Sequence, residues 1–174
     1  MAFNQQDTEC MALALKLSKL GRGSVGANPM VGCVITRDNK IIAQDYHRQY
    51  GKGHAEINAL DQINHKADNC NVYVTLEPCS HQGKTPPCVK ALINANVAKL
   101  FVATLDSNPE VSGSGVKLLR DSGIEVEVGL LEMAALEINR GFLKRMKTDL
   151  PFVTSKIAMS LDGRVAMKNG QSKW

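Results

Sequence analysis

The sequence predicts an α/β fold, and three observations support it. Helix-like apolar spacing alternates with short runs rich in Val and Ile along most of the chain. The composition, with 44% apolar and 22% charged residues, is that of an ordinary globular protein. Polar residues capable of chemistry follow directly after apolar runs, at the strand ends where α/β folds hold their ligands. With 174 residues, the chain can bury one core and begin a second unit.

The N-terminal part predicts a helix, a glycine-rich loop and a hairpin. Asp7 or Thr8 can cap the helix, whose apolar residues recur at helical spacing until Gly21. Strands are predicted at residues 31–36 and 41–46. The short polar stretch between them predicts a hairpin turn.

Two polar residues beside this hairpin each have two interpretations. Asn28 precedes the first strand, either as part of a tight entry of the glycine-rich loop into that strand or as a contact to an amide or hydroxyl edge of a substrate. His47 follows the second strand, either as a surface histidine or as a functional one. Spacing alone leaves both questions open.

Helices and strands continue to alternate in the rest of the chain. The predicted elements are a helix from His54, a strand at 71–76, a helix from Cys88, a strand at 99–104, a helix at 116–121, a strand at 124–128 and a helix at 131–147. Cys79 therefore follows a strand end. Cys88 lies in a first helical turn, where backbone N–H groups favour a thiolate.

Pro151 marks a boundary between two predicted domains. Residues 1–148 are predicted to form the first domain. Two further strands, at 152–159 and 163–167, are predicted to open a second domain over residues 149–174. That second stretch is too short to bury a core of its own.

The cysteines predict a metal site. There are five of them, at positions Cys10, Cys33, Cys70, Cys79 and Cys88. An odd number argues against a disulfide framework, and the first three stand in apolar patterns typical of a core. The last two and His54 form a three-ligand zinc set. Three protein ligands leave the fourth tetrahedral position open, which is typical of a catalytic zinc.

Glu56 is the predicted catalytic residue. It lies two residues beyond His54 and is not needed as a ligand. A carboxylate beside a zinc-activated water can take its proton and pass it to a leaving group. His54-Ala55-Glu56 and Pro78-Cys79 fit the H-x-E and P-C parts of the zinc deaminase signature. Cys88 departs from that signature, because the signature places the second cysteine only three positions after the first.

Two alternatives to this enzyme remain at the level of the motif. His81 could supply a fourth ligand and close a structural zinc knot, which would leave Glu56 without a role. A zinc-stabilised module could also serve as a scaffold for a partner, without catalysis. Both predict that Glu56→Gln has no effect on function.

The motifs closely resemble those of the bifunctional deaminase–reductase family of riboflavin biosynthesis. The resemblance covers nearly the whole chain. Its most specific part is the long spacer between the two cysteines, and its motifs are His54-Ala55-Glu56, the stretch from Thr75 to Cys88, Asn28-Pro29, Val31-Gly32, Asp106-Ser107-Asn108-Pro109, Gly141-Phe142-Leu143-Lys144-Arg145 and the stretch from Lys156 to Arg164.

The resemblance implies a fold, a reaction and a set of contacts. The fold is a cytidine-deaminase-like three-layer α/β/α sandwich with a mixed sheet of about five strands. The reaction is hydrolytic deamination of 2,5-diamino-6-ribosylamino-4(3H)-pyrimidinone 5′-phosphate, a small phosphorylated pyrimidine. The implied substrate contacts are Asn28, His47, His81, Lys84, Asp106 and Asn108. Lys84 is the implied phosphate partner, because it is cationic and lies between the zinc cysteines.

The family's second domain reduces the ribosyl group with NADPH. The resemblance places Ala158 and Trp174 near this cofactor and Ser172 near the sugar of the substrate. Only the opening of that domain is present in this sequence, so the reductase cannot work as given. The resemblance also points to a homo-oligomer.

Charge and hydropathy bear on partners and location. The net charge of +4 comes without a Lys/Arg block of nucleic-acid-binding density, which argues against a nucleic-acid partner. Neither a charged-then-apolar leader nor an apolar run of about 18 residues is found, so we expect a cytoplasmic protein without a membrane partner. A zinc deaminase acting on another nucleotide or on a tRNA adenosine remains the alternative function.

Overall fold

A computed structural model of the protein describes residues 3–83, 85–107 and 112–172. The described strands are β1 (Gly32–Arg37), β2 (Lys40–Tyr46), β3 (Asn71–Val74), β4 (Lys99–Val102) and β5 (Glu125–Val128). The described α-helices are α1 (Gln5–Ser18), α2 (Ala55–Asp61), α3 (Cys88–Asn94), α4 (Ser114–Asp121), α5 (Glu132–Ile138) and α6 (Arg140–Thr148). The predicted alternation of helices and strands is therefore confirmed up to β5.

The strands form one mixed sheet in the order β2-β1-β3-β4-β5. β1 runs antiparallel to both β2 and β3, whereas β3, β4 and β5 are parallel. The start of β1 and the ends of β2, β3 and β4 therefore meet at one edge of the sheet. This edge collects the loops that carry the predicted site residues.

Helices cover both faces of the sheet, so the fold is the expected three-layer α/β/α sandwich. Along β1, Cys33 and Ile35 enter one core cluster with residues of α2, α3 and α4. Val34, between them, enters the other cluster with residues of α1 and α5. This alternation follows from the two-residue period of a strand. Cys10, Cys33 and Cys70 are buried, as predicted.

The first helix begins earlier than the sequence predicts. Asn4, not Asp7 or Thr8, is the N-cap residue. The Asn4 side chain accepts a hydrogen bond from the Asp7 N–H, and the Asp7 carboxylate accepts one from the Asn4 N–H. Asp7 is the third residue of α1, and its pairing with Asn4 is a capping box. This reciprocal arrangement satisfies two free N–H groups at the start of the helix.

The predicted last helix is divided at Asn139. Asn139 is not helical, with φ −105° and ψ 16°, and it separates α5 from α6. Its buried side chain accepts a hydrogen bond from the Met30 N–H and donates one to the Met30 carbonyl. This paired contact to a distant loop overrides a helical pattern that is continuous in the sequence.

The two strands predicted beyond Pro151 are wrong in the described chain. Residues 150–172 contain no helix or strand, and Ile157, Met159, Leu161 and Val165 are exposed there. An isolated pair of strands is marginal without a sheet or a core to join. Among the described residues, none of the helices combines the length and apolarity needed to cross a bilayer.

Candidate active site

Three side chains converge at the edge of the sheet where β3 ends. His54 is the N-cap residue of α2, Cys88 is the first residue of α3, and Cys79 lies in the loop after β3. His54 Nδ1 lies 3.2 Å from Cys88 Sγ and 3.5 Å from Cys79 Sγ. All three donor atoms lie within 4.8 Å of one another.

This donor set fits zinc. Bond lengths of about 2.0–2.1 Å to nitrogen and about 2.3 Å to sulfur imply a nitrogen–sulfur separation of about 3.6 Å around a tetrahedral ion. The observed separations of 3.2 and 3.5 Å are close to that value. Within the described residues His81 is not part of the group, so the closed knot with His81 as fourth ligand is not formed.

The two cysteines have opposite pKa shifts. The neighbouring Cys88 thiol lowers the pKa of Cys79 to about 4, although burial opposes the shift. The same contact, together with burial, raises the pKa of Cys88. The Cys88 backbone N–H, at the start of α3, also donates to Cys79 Sγ over 3.3 Å. The start of α3 therefore favours a thiolate at Cys79 as well.

Glu56 lies beside this group and outside it. It is the second residue of α2, is almost fully buried and lines the same cavity as His54 and Cys79. Burial raises the pKa of Glu56 to about 7, with the nearby His54 acting in the opposite direction. A carboxyl group with a pKa near neutrality can both accept and release a proton at physiological pH.

A cavity of about 360 Å³ opens beside the three ligands. Its lining includes Asn28, His47, His81 and Asp106. These four were implied as substrate contacts, and they come from four different loops along the sheet edge. Lys84 and Asn108, the other two implied contacts, lie outside the described residues.

His47 is buried against His54. The two imidazole rings meet edge to face, with centroids 5.2 Å apart. His47 Nδ1 lies 3.1 Å from the Gly53 carbonyl, and Nε2 is buried without a hydrogen-bond partner among the described residues. Burial lowers the pKa of His47, which favours the neutral ring. The surface-histidine interpretation is therefore wrong, and Nε2 is free to meet a ligand.

Glu77 is a structural residue of the site that the sequence reasoning missed. Its buried carboxylate accepts hydrogen bonds from the backbone N–H groups of Asp106, Gly113, Gly115 and Val116. It thus ties the loop after β4 and the start of α4 to the Cys79 loop. A carboxylate directly after an apolar strand was the available signal, but its partners lie far away in sequence.

The sequence reasoning also missed the wall that α6 contributes. Phe142, Arg145 and Met146 line the cavity, together with Tyr50 and Lys52 from the loop after β2. The Asn139 pairing with Met30 brings α6 to this place. The spacing of the residues gave no signal, because this contact joins segments 109 positions apart.

The predicted reductase residues are not part of this site. Ala158 and Ser172 are exposed in the segment after α6, and neither lines the cavity. Trp174 lies outside the described residues.

Comparison with known proteins identifies the family. Residues 4–104 match the model of the cytidine and deoxycytidylate deaminase zinc-binding region. The chain is 48% identical over 169 residues to the riboflavin biosynthesis protein RibD of Escherichia coli strain K12, covering 97% of this chain and 46% of that protein. It is also 48% identical over 146 residues to a diaminohydroxyphosphoribosylamino-pyrimidine deaminase of Buchnera aphidicola subsp. Schizaphis graminum, covering 84% of this chain and 99% of that protein.

A solved structure gives the same result. Acinetobacter baumannii RibD, form 1, superposes with a TM-score of 0.92 at 48% identity, covering 98% of this chain and 48% of that chain. The chain thus spans about half the length of the RibD proteins that it matches. It belongs to the cytidine and deoxycytidylate deaminase family and is a deaminase domain of the RibD type.

Proposed function

We propose that this chain hydrolytically deaminates 2,5-diamino-6-ribosylamino-4(3H)-pyrimidinone 5′-phosphate to 5-amino-6-(5-phosphoribosylamino)uracil in riboflavin biosynthesis. The observation that carries the proposal is the group of His54, Cys79 and Cys88, together with a cavity that His54, Cys79 and Glu56 line. The Buchnera relative, whose name states this type of deaminase, supports the choice of substrate. Asn28, His47, His81 and Asp106 line the same cavity and support it further.

The three ligands would hold one zinc ion. Zinc, when bound, supplies a hydroxide nucleophile at neutral pH because it lowers the pKa of water. The Glu56 carboxylate takes a proton from the attacking water and delivers it to the exocyclic nitrogen of the substrate. This nitrogen then leaves as ammonia. The ring carbon becomes a carbonyl, so one water is consumed for each ammonia released.

The polar lining of the cavity would position the pyrimidine. His47 Nε2 faces no protein partner within the described chain, so it can hydrogen-bond to the ring or to a sugar hydroxyl. Asn28 and Asp106 supply amide and carboxylate groups that suit the edge of an aminopyrimidinone. Lys84 and Asn108 remain predicted contacts.

The relatives of the RibD type are about twice as long as this chain. We infer that a longer protein containing it also reduces the ribosyl group with NADPH. Ala158 and Trp174 then remain the predicted cofactor contacts, and Ser172 the predicted sugar contact. Assembly into a homo-oligomer and a cytoplasmic location likewise remain predictions.

The alternative function is deamination of another nucleotide or of a tRNA base. The long insert between Cys79 and Cys88 and the matches to RibD argue against it. Ammonia release from the ribosylaminopyrimidinone phosphate, dCMP and cytidine separates the two. Turnover of dCMP or cytidine without turnover of the ribosylaminopyrimidinone would contradict the proposed substrate.

Glu56→Gln tests the mechanism. We expect the variant to keep its fold and its zinc, and kcat to fall by about 10²- to 10⁴-fold, the usual contribution of general acid–base catalysis. The measurement is steady-state ammonia release together with zinc content. Glu132→Gln is a matched control, because Glu132 also lies in the first turn of a helix but is exposed. A Glu56→Gln variant with nearly normal turnover would contradict Glu56 as the proton carrier, whereas absence of turnover in the unaltered zinc-loaded chain would favour the non-catalytic zinc module.

A further inference from the structure

Arg145 is a cation in the wall of the active-site cavity without an anionic partner. Its Nη2 donates a hydrogen bond to the Ala27 carbonyl over 2.9 Å. Its Nε is buried and has no hydrogen-bond partner among the described residues. The guanidinium group also lies 6.0 Å from the centre of the Phe142 ring. These contacts hold the side chain in place and leave part of its donor set unused.

Three other arginines of the described chain have carboxylate partners, whereas Arg37 and Arg120 donate to backbone carbonyls. Arg48, Arg140 and Arg164 each form an ion pair with a carboxylate. Within the described residues, no carboxylate lies within ion-pair distance of Arg145. A buried guanidinium donor without a partner is unfavourable unless a ligand completes it.

The surroundings of Arg145 favour an anion. A second cavity of about 380 Å³ shares Asn28, Phe142 and Arg145 with the active-site cavity. Arg22 also lines it, and its described lining contains no Asp or Glu. Arg145 therefore lies at the junction of the two cavities, and Glu56, His54 and Cys79 line only one of them.

We propose that Arg145 binds the 5′-phosphate of the pyrimidine substrate. This inference rests on the proposed function and assigns the direction of the substrate, with the aminopyrimidinone at Glu56 and the phosphate at the junction. A guanidinium group suits this task because its planar fork matches two phosphate oxygens. α6 lies outside residues 4–104, the part matched by the general deaminase family, so this contact would serve substrate choice rather than the common chemistry.

The test compares the phosphorylated substrate with the same compound lacking the 5′-phosphate. We expect Arg145→Met to lower the ratio of kcat/KM for the phosphorylated over the dephosphorylated compound by about 10- to 100-fold, as for a lost charge-assisted bond. The loss should appear mainly in KM. Inhibition by inorganic phosphate should weaken in parallel. Arg140→Met is the matched control, because Arg140 lies on the same helix and does not line either cavity.

Each outcome decides one question. If the unaltered chain releases ammonia from neither compound, the proposed function is refuted. Normal turnover with an unchanged phosphate preference in Arg145→Met would overturn the inference and place the phosphate elsewhere, for example at Lys84. An equal loss on both compounds would also overturn it, because Arg145 would then act only by holding the Ala27 loop.

A second variant covers a folding defect. Zinc content and thermal unfolding identify an Arg145→Met chain that does not fold. Arg145→Lys keeps the positive charge and loses the fork, so we expect a smaller loss that is still selective for the phosphorylated compound. If Arg145→Met does not fold, Arg145→Lys becomes the deciding variant. A lysine variant that prefers the phosphorylated compound as strongly as the unaltered chain does would overturn bidentate binding of the phosphate by Arg145.

Discussion

Cys88 has two roles at the scale of single residues. It is a candidate zinc ligand, and its backbone N–H donates a hydrogen bond to Cys79 Sγ. Zinc binding requires both sulfurs as thiolates, so binding of the ion releases protons.

Replacing Cys88 should remove the zinc. We expect Cys88→Ala to weaken zinc affinity by more than about 100-fold, because even outer partners of a metal ligand contribute 10- to 100-fold. Zinc per chain, measured after dialysis against a mild chelator, tests this.

Cys10→Ala is the control for the zinc experiment, since Cys10 is also a buried thiol but lies on α1, in the core between that helix and the sheet. The control should keep its zinc. Stoichiometric zinc in Cys88→Ala would show that another group completes the site.

At this scale, the candidate catalytic and zinc-binding residues were predictable from the sequence, whereas the residues that hold the surrounding loops in place were not. His54, Glu56, Cys79 and Cys88 stand in short local motifs whose spacing carries the chemistry. Glu77 and Asn139 act through backbone groups tens of positions away, so nothing near them in the sequence reveals their partners. Only the folded chain reveals such long-range hydrogen bonds.

At the scale of elements, α1 packs very closely on the sheet. A Cβ atom on Gly32, the first residue of β1, would lie 2.0 Å from the Ala14 carbonyl oxygen of α1. This oxygen belongs to the backbone of α1, which cannot move aside as the end of a flexible side chain can. The absence of a side chain at position 32 therefore sets the distance between these two layers, next to the edge that carries the site.

Gly32→Ala should destabilise the chain by about 3 kcal/mol, the upper end of the usual range for overpacking. Gly141→Ala should do the opposite, because its Cβ would meet only the Phe152 Cβ at 3.8 Å and Ala favours a helix by about 0.5–1 kcal/mol over Gly. Chemical denaturation of both variants provides the measurement. A neutral Gly32→Ala would mean that α1 can move away from the sheet without loss.

Element types were more predictable than element ends. The five strands and the first four helices follow from periodicity, because each buries one face of a period-two or period-3.6 pattern. The break between α5 and α6 and the cap at Asn4 depend on side chain–backbone hydrogen bonds. Apolar periodicity does not contain that information.

For the whole molecule, residues 151–172 contribute little to the folded domain. They contain no helix or strand, and most of their side chains are exposed. Their described ring contact is Phe152, which lies 4.6 Å from the Arg140 guanidinium and 5.9 Å from the Lys144 ammonium.

A chain ending at Leu150 should therefore fold and bind zinc. We expect its free energy of unfolding to change by less than about 1 kcal/mol, because exposed cation–π contacts are worth about that much. Denaturation and zinc content of the shortened chain provide the test. A loss of several kcal/mol would assign the segment a structural role in the domain.

The hydrogen bonds of Glu77 bear on how substrate choice can change in this family. The Glu77 carboxylate accepts hydrogen bonds from the N–H groups of both Asp106 and Gly113, so one side chain holds both ends of the segment between them. Residues inserted or removed between Asp106 and Gly113 should therefore leave both of these residues, and Cys79, in place. The sequence between Asp106 and Gly113 can in this way vary during evolution while the candidate zinc ligands and Glu56 keep their positions.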